Sequence, residues 1–282
     1  MKIITSISDM HKVSLVLKGE GRTIGFVPTM GALHKGHVTL IDKAKRENNK
    51  VVLSIFVNPI QFAPGEDYHS YPRDKERDEI MASQSGVDVL FLPSADEMYP
   101  DGYETFVNVE GITELLCGKF RHGHFKGVAT VVLKLFNIVM PDRAYFGEKD
   151  YQQMLVIKRM VNDLNLNVDI VSMPTIREEN GLAMSSRNTY LDSRERVSAV
   201  SLYKALKTSE DMVKNGERDT IKIINEMERI IRSETEAKID YISICDPDTL
   251  KDIKTINGRA LAALSVRIGN ARLIDNCMLE VK

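Results

Sequence analysis

Cysteine is scarce and scattered in this sequence, and long apolar runs are missing. The three cysteines of the 282-residue chain are Cys117, Cys245 and Cys277, and no CxxC pair occurs. An odd number of widely spaced thiols argues against a disulfide framework and against a thiolate zinc site. No apolar run reaches the ~18 residues of a membrane span, and the N-terminal segment lacks the apolar region of a signal peptide. We therefore expect a cytoplasmic protein without a membrane partner.

An excess of either charge is also lacking. The formal net charge is −2, with 28% charged and 43% hydrophobic residues, which indicates a soluble globular protein. Without a general positive charge the chain has no broad attraction for nucleic acid, so any affinity for phosphate must be local. The sequence contains neither a P-loop motif nor a GxGxxG fingerprint after its first strand, so a phosphate site would need a different cradle.

Apolar, β-prone runs alternate with helical patterns in the first part of the chain. One run begins the stretch TIGFVPTMGALHKGHVTLIDKA (23–44), which passes a turn and becomes an amphipathic helix; further runs occupy 51–57 and 87–92. Such runs are typical of parallel strands buried on both faces, and right-handed crossovers place their carboxyl ends on one edge of the sheet. An edge strand is also predicted at 106–109.

After residue 174 the pattern changes to helices followed by alternating strands, with Gly269-Asn270 as a tight hairpin signal. The length also favours two domains. The predicted fold is therefore α/β, with a Rossmann-like, doubly wound parallel-sheet domain at 1–175. A smaller α+β lid domain with an antiparallel sheet follows at 176–282.

The motif HKGH lies at the predicted start of the helix after the first long strand. His34, Gly36 and His37 fall where unpaired backbone N–H groups collect and attract anions. Two imidazoles three residues apart lie on one side of such a turn, and Gly36 allows close approach of a ligand. This pattern favours a nucleotide site, while the same four residues also fit a surface turn or an incidental metal pair.

Other polar groups share this placement at strand ends or helix starts. They occupy 58–62, 121–124 and 147–153, and a further group at 184–188 lies just beyond the predicted domain boundary. Loops at the carboxyl edge of a parallel sheet are where such folds bind their ligands. The grouping therefore predicts a small-molecule site at this edge.

Five segments together resemble the pantothenate synthetase family, the pantoate–β-alanine ligases of the HxGH adenylyltransferase group. They are PTMGALHKGH (28–37), FVNPIQF (56–62), SYPRD (70–74), RHGHFKGVATVVLKLFNIVMPDRAYFGEKDYQQ (121–153) and LAMSSRNTYL (182–191). The resemblance covers most of the first domain and the loop after it, and little of the chain after residue 192. One departure is His122, where a proline or a small residue is expected.

The resemblance implies a two-step reaction. Pantoate attacks the α-phosphate of ATP to give pantoyl adenylate and pyrophosphate, and the amine of β-alanine then displaces AMP. Mg²⁺ would be held by the ATP phosphates, with no protein ligand for a metal. The family also suggests a homodimer.

The resemblance also implies roles for individual residues. The catalytic set is His34, His37, Lys149, Ser185, Ser186 and Arg187. ATP binding falls to Pro28, Thr29, Met30, Gly36, His37, Gly147, Lys149, Asp150, Ile176, Met184, Ser185, Ser186 and Arg187. Pantoate binding falls to Met30, Gln61, Phe62, Val131 and Gln153, with Asn58, Arg121 and His124 as supporting residues.

Other interpretations stay open at this point. Gln153 and Lys149, taken singly, also fit solvated helix or loop positions. An HxGH enzyme that transfers AMP to a phosphate ester needs the same histidines, but its acceptor would call for additional Arg or Lys. An RNA-binding module using the basic segment 119–126 lacks a wider basic face or an aromatic platform, so we expect no nucleic-acid partner.

Overall fold

The apolar runs of the first part of the chain form one parallel sheet in the computed structural model, which describes residues 1–281. Its strands are β1 (Lys2–Ile4), β2 (Ile24–Thr29), β3 (Lys50–Ile55), β4 (Val89–Phe91), β5 (Arg143–Gly147) and β6 (Asp169–Met173). Their spatial order is β1-β4-β3-β2-β5-β6, so the direction of winding reverses between β2 and β5. Ligands of such sheets bind outside the carboxyl ends of the strands at this reversal, which here means next to Thr29 and Gly147.

Helices on both faces bury this sheet. They are α1 (Ile7–Gly19), α2 (Lys35–Glu47), α3 (Lys75–Gln84), α4 (Ala95–Met98), α5 (His124–Val139) and α6 (Tyr151–Asp163). Successive side chains of a strand point to opposite faces. Val27 of β2 accordingly packs in a cluster with Leu40 and Ile41 of α2, while Phe26 meets Phe136 of α5 with ring centroids 6.4 Å apart. The strand that precedes HKGH is therefore fixed from both sides.

Strand β2 continues through Pro28 rather than breaking there. Pro28 pairs with Ser54 of β3, whereas the pairing with β5 covers only Gly25 and Phe26. A proline is tolerated in an inner strand where the ladder on one side has already ended, because its missing N–H then leaves no partner unpaired.

The prediction of an edge strand at 106–109 is wrong. These residues run without pairing to the described sheet, and the backbone N–H of Val107 instead donates to Thr130 Oγ1 of α5 at 2.9 Å. The backbone N–H of Val107 is therefore paired with a side chain of a helix rather than with a neighbouring strand. The local sequence pattern does not reveal this partner.

The last part of the chain forms a separate antiparallel sheet of β7 (Ala237–Cys245), β8 (Arg259–Ile268) and β9 (Ala271–Glu280). The predicted hairpin is confirmed, since β8 and β9 pair from Ile268–Ala271 outwards around Gly269-Asn270. Helices α7 (Ser193–Lys214) and α8 (Thr220–Arg232) share an apolar core with this sheet, including Leu202, Met227 and Leu264. The predicted fold class, a parallel α/β sheet followed by a smaller α+β part, is confirmed.

The described residues pack as two compact units. Unit 1 contains Met1–Glu110, Arg121–Glu148 and Gln153–Pro174, and unit 2 contains Gly111–Phe120, Lys149–Gln152 and the chain from Thr175. The limits 1–175 and 176–282 stay a prediction about folding domains. The packing departs from them in the two short segments that join unit 2.

Among the helices of residues 1–281, none combines the length and the apolar character that crossing a membrane requires.

Glycine at position 127 allows α5 to approach the short 3₁₀ turn Pro59–Gln61. A Cβ built on Gly127 would lie 2.6 Å from both Gln61 Cα and the Ile60 carbonyl oxygen. Both contacts are with backbone, so a larger residue requires the turn or the helix to move.

We expect Gly127→Ala to lower the free energy of unfolding by roughly 1 to 3 kcal/mol, the usual range for overpacking a close contact. Denaturant titration followed by circular dichroism measures this. Gly19→Ala is the matched control, because a Cβ there meets nothing within 4 Å. Equal stability of the two variants would contradict the packing described here.

Candidate active site

The turn after β2 is held by a buried carboxylate from α3. Asp78, 2% exposed, accepts the backbone N–H groups of Ala32 at 2.8 Å and Leu33 at 2.7 Å. Gly31 and Ala32 both have positive φ, +85° and +48°, a conformation that a non-glycine residue adopts only when its surroundings enforce it. Burial raises the pKa of Asp78, although both backbone donors favour its ionised form. This clamp fixes the chain just before the HKGH motif.

His34 and His37 cap the start of α2 reciprocally. His34 is the N-cap residue, and its Nδ1 accepts the backbone N–H of Gly36 at 3.1 Å. His37, three residues later, accepts the backbone N–H of His34 at its own Nδ1, at 3.2 Å. The two rings lie with centroids 4.1 Å apart. The arrangement is a capping box built from two histidines instead of the usual Ser/Thr and Glu.

This capping decides the protonation form of both rings. A backbone N–H can only donate, so each Nδ1 acts as an acceptor, and the proton of each neutral imidazole resides on Nε2. His34 and His37 therefore present two N–H donors at a helix N-terminus, where the partial positive charge also favours anions. The structure brings together the two histidines as the motif predicted, and the capping that orients them was not foreseen.

Asn58 and Gln61 form a buried amide pair at the end of β3. Asn58 Nδ2 donates to Gln61 Oε1 at 3.0 Å and to the Gly127 carbonyl at 3.1 Å. The Tyr99 hydroxyl donates to Asn58 Oδ1 at 2.8 Å, and Gln61 Nε2 lies 3.2 Å from Met30 Sδ as donor. The predicted residues Met30, Asn58 and Gln61 are thus neighbours. Contacts at both atoms of its amide group hold the Gln61 side chain in place.

Arg121 and His124 connect the Asn58–Gln61 pair to the carboxylate of Glu66. Arg121 donates to both oxygens of Glu66, at 2.7 and 2.8 Å, and its third nitrogen lies 2.9 Å from His124 Nε2. His124 Nδ1 lies 2.9 Å from the Gln61 carbonyl oxygen. Burial acts to raise the pKa of Glu66, but Arg121 and the Ala63 N–H outweigh it and hold the pKa below its usual range. His122, the departure from the family pattern, is exposed and leaves this chain of contacts intact.

Thr29 closes β2 with its own side chain. Thr29 Oγ1 donates to the Ser54 carbonyl at 2.8 Å and accepts the Gly31 N–H at 3.2 Å. Pro28 and Thr29 are half-buried at the carboxyl edge of the sheet, and Gly147 lies at the same edge at the end of β5. A Cβ on Gly147 would meet no atom within 4 Å, so open space adjoins the reversal point of the sheet.

Apolar side chains of unit 1 complete the predicted pantoate set. Phe62 is half-buried and packs edge-on against Tyr68 and Tyr71, with ring centroids 5.5 and 6.1 Å away. Val131 of α5 is 6% exposed, which fits a packing role as well as a wall of the site. Its membership in the site stays a prediction.

Two adjacent glutamines at the start of α6 differ in their surroundings. Gln152 is buried and structural: it accepts the Cys117 N–H at 3.0 Å and donates to the carbonyls of Ile112 and Leu115 at 2.8 and 2.7 Å. Gln153, which the sequence singled out, is half-buried in unit 1. Gln152 is thus a packing amide, and the role of Gln153 in binding a ligand stays a prediction.

Lys149 and Asp150 belong to unit 2. Lys149 Nζ lies 3.8 Å from Asp150 Oδ1, and its side chain is 19% exposed. Asn276 of β9 donates to the Lys149 carbonyl at 2.9 Å, which fixes the backbone that carries this ammonium group.

The MSSRN segment (184–188) of unit 2 leads into a short 3₁₀ helix, Ser186–Tyr190, which is capped by Ser185. Ser185 Oγ accepts the Arg187 N–H at 3.3 Å, and Ser186 is 8% exposed. The Met184 N–H donates to the Ile176 carbonyl at 2.9 Å. The structure therefore brings these predicted residues together on one ordered loop of unit 2.

Glu178 and Asn188 anchor that loop. Asn188 belongs to the polar group predicted at 184–188 but was given no individual role, and Glu178 was not predicted. Asn188 Nδ2 donates to Glu178 Oε1 at 2.9 Å and to the Ala183 carbonyl at 3.1 Å. Arg196 of α7 donates to Glu178 Oε2 at 3.0 Å and to the Asn188 carbonyl at 3.1 Å. These contacts connect the capped segment to α7 and to the chain before it.

Within residues 1–281, no three His, Cys, Asp or Glu side chains come close enough to one another to hold a metal ion. In particular, His34 and His37 direct both Nδ1 atoms at backbone N–H groups.

Comparison with known sequences places this arrangement in context. The sequence profile of a family described as Pantoate-beta-alanine ligase matches residues 2–278. The pantothenate synthetase of Acetivibrio thermocellus is 56% identical over 281 residues, which cover 100% of this chain and 100% of that protein. The pantothenate synthetase of Thermotoga petrophila is 51% identical, with 99% and 100% of the two chains covered.

Solved structures are similar over the same length. A crystal structure of pantothenate synthetase from Thermus thermophilus matches with a TM-score of 0.94 at 47% identity, covering 98% of this chain and 99% of that chain. Pantoate-beta-alanine ligase from Francisella tularensis, complexed with beta-gamma ATP and beta-alanine, matches with a TM-score of 0.81 at 40% identity, covering 99% and 97%. The similarity therefore extends through both units.

Proposed function

Because the chain belongs to the pantoate–β-alanine ligase family, the enzymes of pantothenate biosynthesis, we propose that it condenses pantoate with β-alanine through a pantoyl adenylate, at the cost of ATP. The complex of the Francisella tularensis relative with beta-gamma ATP and beta-alanine supports ATP and β-alanine as substrates. The observation that carries the adenylation step is the reciprocal capping of His34 and His37, which presents two Nε2–H donors at the start of α2.

In the first step a carboxylate oxygen of pantoate bonds to the α-phosphorus of ATP. The bond from that phosphorus to the leaving pyrophosphate breaks, which gives pantoyl adenylate. In-line displacement at phosphorus needs positioning and stabilisation of charge more than covalent help. His34 and His37 donate to phosphate oxygens in this step. Mg²⁺ would be held by the ATP phosphates and would neutralise part of the triphosphate charge.

The family resemblance implies further donors to the nucleotide. Lys149 and Arg187 carry the charges suited to phosphate oxygens, and Ser185 and Ser186 add hydroxyl groups. The anchored 3₁₀ helix supports this role, because donors on an ordered segment need little reorganisation when charge develops. Around the ribose and adenine we place Gly36, Asp150 and Met184. The proposed ATP contacts also include Pro28, Thr29, Gly147 and Ile176.

A binding site for pantoate requires amide side chains next to apolar walls. Its hydroxyl groups match Gln61 and Gln153, while its gem-dimethyl body matches Met30, Phe62 and Val131. The buried pair of Asn58 and Gln61 supports this assignment, since a fixed amide rejects an acceptor that lacks the matching hydroxyl.

In the second step the amine of β-alanine attacks the acyl carbon of pantoyl adenylate. The bond from that carbon to the AMP oxygen breaks and the nitrogen loses a proton, so pantothenate and AMP leave. A carboxylate alone is a poor electrophile toward an amine, and adenylation supplies the leaving group. Holding the anhydride next to the amine makes the second step effectively intramolecular.

We also propose that the enzyme is a cytoplasmic homodimer. The family resemblance supports the assembly. The presence of Cys117, Cys245 and Cys277 as thiols fits a reducing compartment.

The two histidines can be tested without removing the cap. Asn at an N-cap and Gln at the third helical position each keep an acceptor for the backbone, so His34→Asn and His37→Gln should fold with a native circular dichroism spectrum. Each loses the ring Nε2–H, and we expect turnover to fall ~10²- to 10³-fold, as for removal of one preorganised donor. His11→Ala, exposed on α1, is the control. Near-wild-type turnover in His34→Asn or His37→Gln would show that the rings act only as caps.

The adenylate itself is tested by isotope exchange. The first half-reaction needs no amine and is reversible, because pyrophosphate can attack the mixed anhydride. We expect labelled pyrophosphate to enter ATP when pantoate and Mg²⁺ are present and β-alanine is absent. Exchange that needs β-alanine would contradict a separate adenylation step, and exchange only with a phosphate ester would identify an adenylyltransferase instead.

A further inference from the structure

Gln61 is fixed through its main chain as well as its side chain. Its side-chain amide lies between Asn58 and Met30, and its carbonyl oxygen faces His124 Nδ1 at 2.9 Å. The segment that carries it, Pro59–Gln61, is a single 3₁₀ turn. So short a turn has little internal hydrogen bonding of its own, and its position depends on such outside contacts.

The direction of the hydrogen bonds from Glu66 to Gln61 is determined by chemistry. A guanidinium has no acceptor, so His124 Nε2 must accept from Arg121, and a carbonyl has no donor, so His124 Nδ1 must carry the proton. His124 is therefore a neutral imidazole of defined tautomer. It is the opposite tautomer from that of His34 and His37.

Glu66 stabilises Arg121 in this series of hydrogen bonds. The side chains of Arg121 and Glu66 are 13% and 19% exposed, so the guanidinium is largely removed from water. A half-buried cation without a paired carboxylate is costly and tends to move toward solvent. Glu66 also closes the turn after Phe62, since its Oε2 accepts the Ala63 N–H at 3.2 Å. Without the carboxylate, Arg121 would leave His124, and both the tautomer and the contact to Gln61 would be lost.

We infer that Glu66 is a positioning residue for the acceptor substrate: through Arg121 and His124 it sets the place of Gln61 and hence the binding of pantoate. The inference rests on the proposed role of Gln61 in pantoate binding. Glu66 itself touches neither substrate in this scheme. A purely structural ion pair would instead change stability and leave the two Michaelis constants in their original ratio.

The first test is kinetic. Glu66→Gln keeps the shape of the side chain but removes its charge and one acceptor. We expect KM for pantoate to rise about 10-fold, the size of one misplaced hydrogen bond, with KM for ATP changed less than about twofold. Glu76→Gln, an exposed glutamate of α3, is the matched control and should leave both constants unchanged.

The second test is a double-mutant cycle with Gln61→Ala. If Glu66 acts through Gln61, Glu66→Gln should add less than about twofold to KM for pantoate in the Gln61→Ala background. Arg121→Lys provides an independent variant, because a single ammonium cannot bridge Glu66 and His124 as the forked guanidinium does. It should show the same rise and the same lack of additivity, which keeps the test decisive if Glu66→Gln folds poorly.

The outcomes distinguish failure of the inference from failure of the proposed function. A raised KM for pantoate in Gln61→Ala, with no rise in Glu66→Gln or Arg121→Lys, would overturn the inference alone. So would full additivity in the cycle, which would mean that Glu66 acts elsewhere. An unchanged KM for pantoate in Gln61→Ala would remove the proposed role of Gln61, and the inference with it.

Discussion

The reciprocal hydrogen bonds of His34 and His37 are the constraint on which the site depends. Each ring accepts a backbone N–H at the start of α2, so each is fixed in orientation and in tautomer by the helix that it caps. The Asp78 clamp fixes the backbone that leads into these bonds, because it holds the turn with two successive left-handed residues directly before Leu33 and His34. Donors set in this way cost no reorganisation when charge develops on a ligand.

Similar supporting contacts occur around other residues that are proposed to bind a ligand. Gln61 is held by Asn58 and by the Glu66–Arg121–His124 chain, and the MSSRN segment is held by Glu178 and Asn188. In each case the residue proposed to meet a ligand is held by partners to which no step of the proposed reaction is assigned. We therefore expect the precision of ligand binding to depend on these supporting partners as well.

The sequence predicted the strands and the HKGH turn better than the residues that support that turn. The parallel sheet and the location of HKGH follow from period and from β-branched runs, which local sequence records directly. Asp78 and Glu66 stand 45 and 55 residues from the groups they hold, and nothing local distinguishes them from ordinary surface acids. The failed strand at 106–109 has the same cause, because Thr130, the partner of Val107, lies on a distant helix.

Nitrogen-15 NMR of the histidine side chains tests the central claim most directly, since it distinguishes a protonated ring nitrogen from an unprotonated one. In chain labelled at histidine, with signals assigned by the loss of each in His34→Asn and His37→Gln, we expect both rings at neutral pH to carry their proton on Nε2 and to be unprotonated at Nδ1. A proton on Nδ1 of either ring at neutral pH would contradict the reciprocal cap, and with it the orientation of the donors on which the proposed chemistry rests.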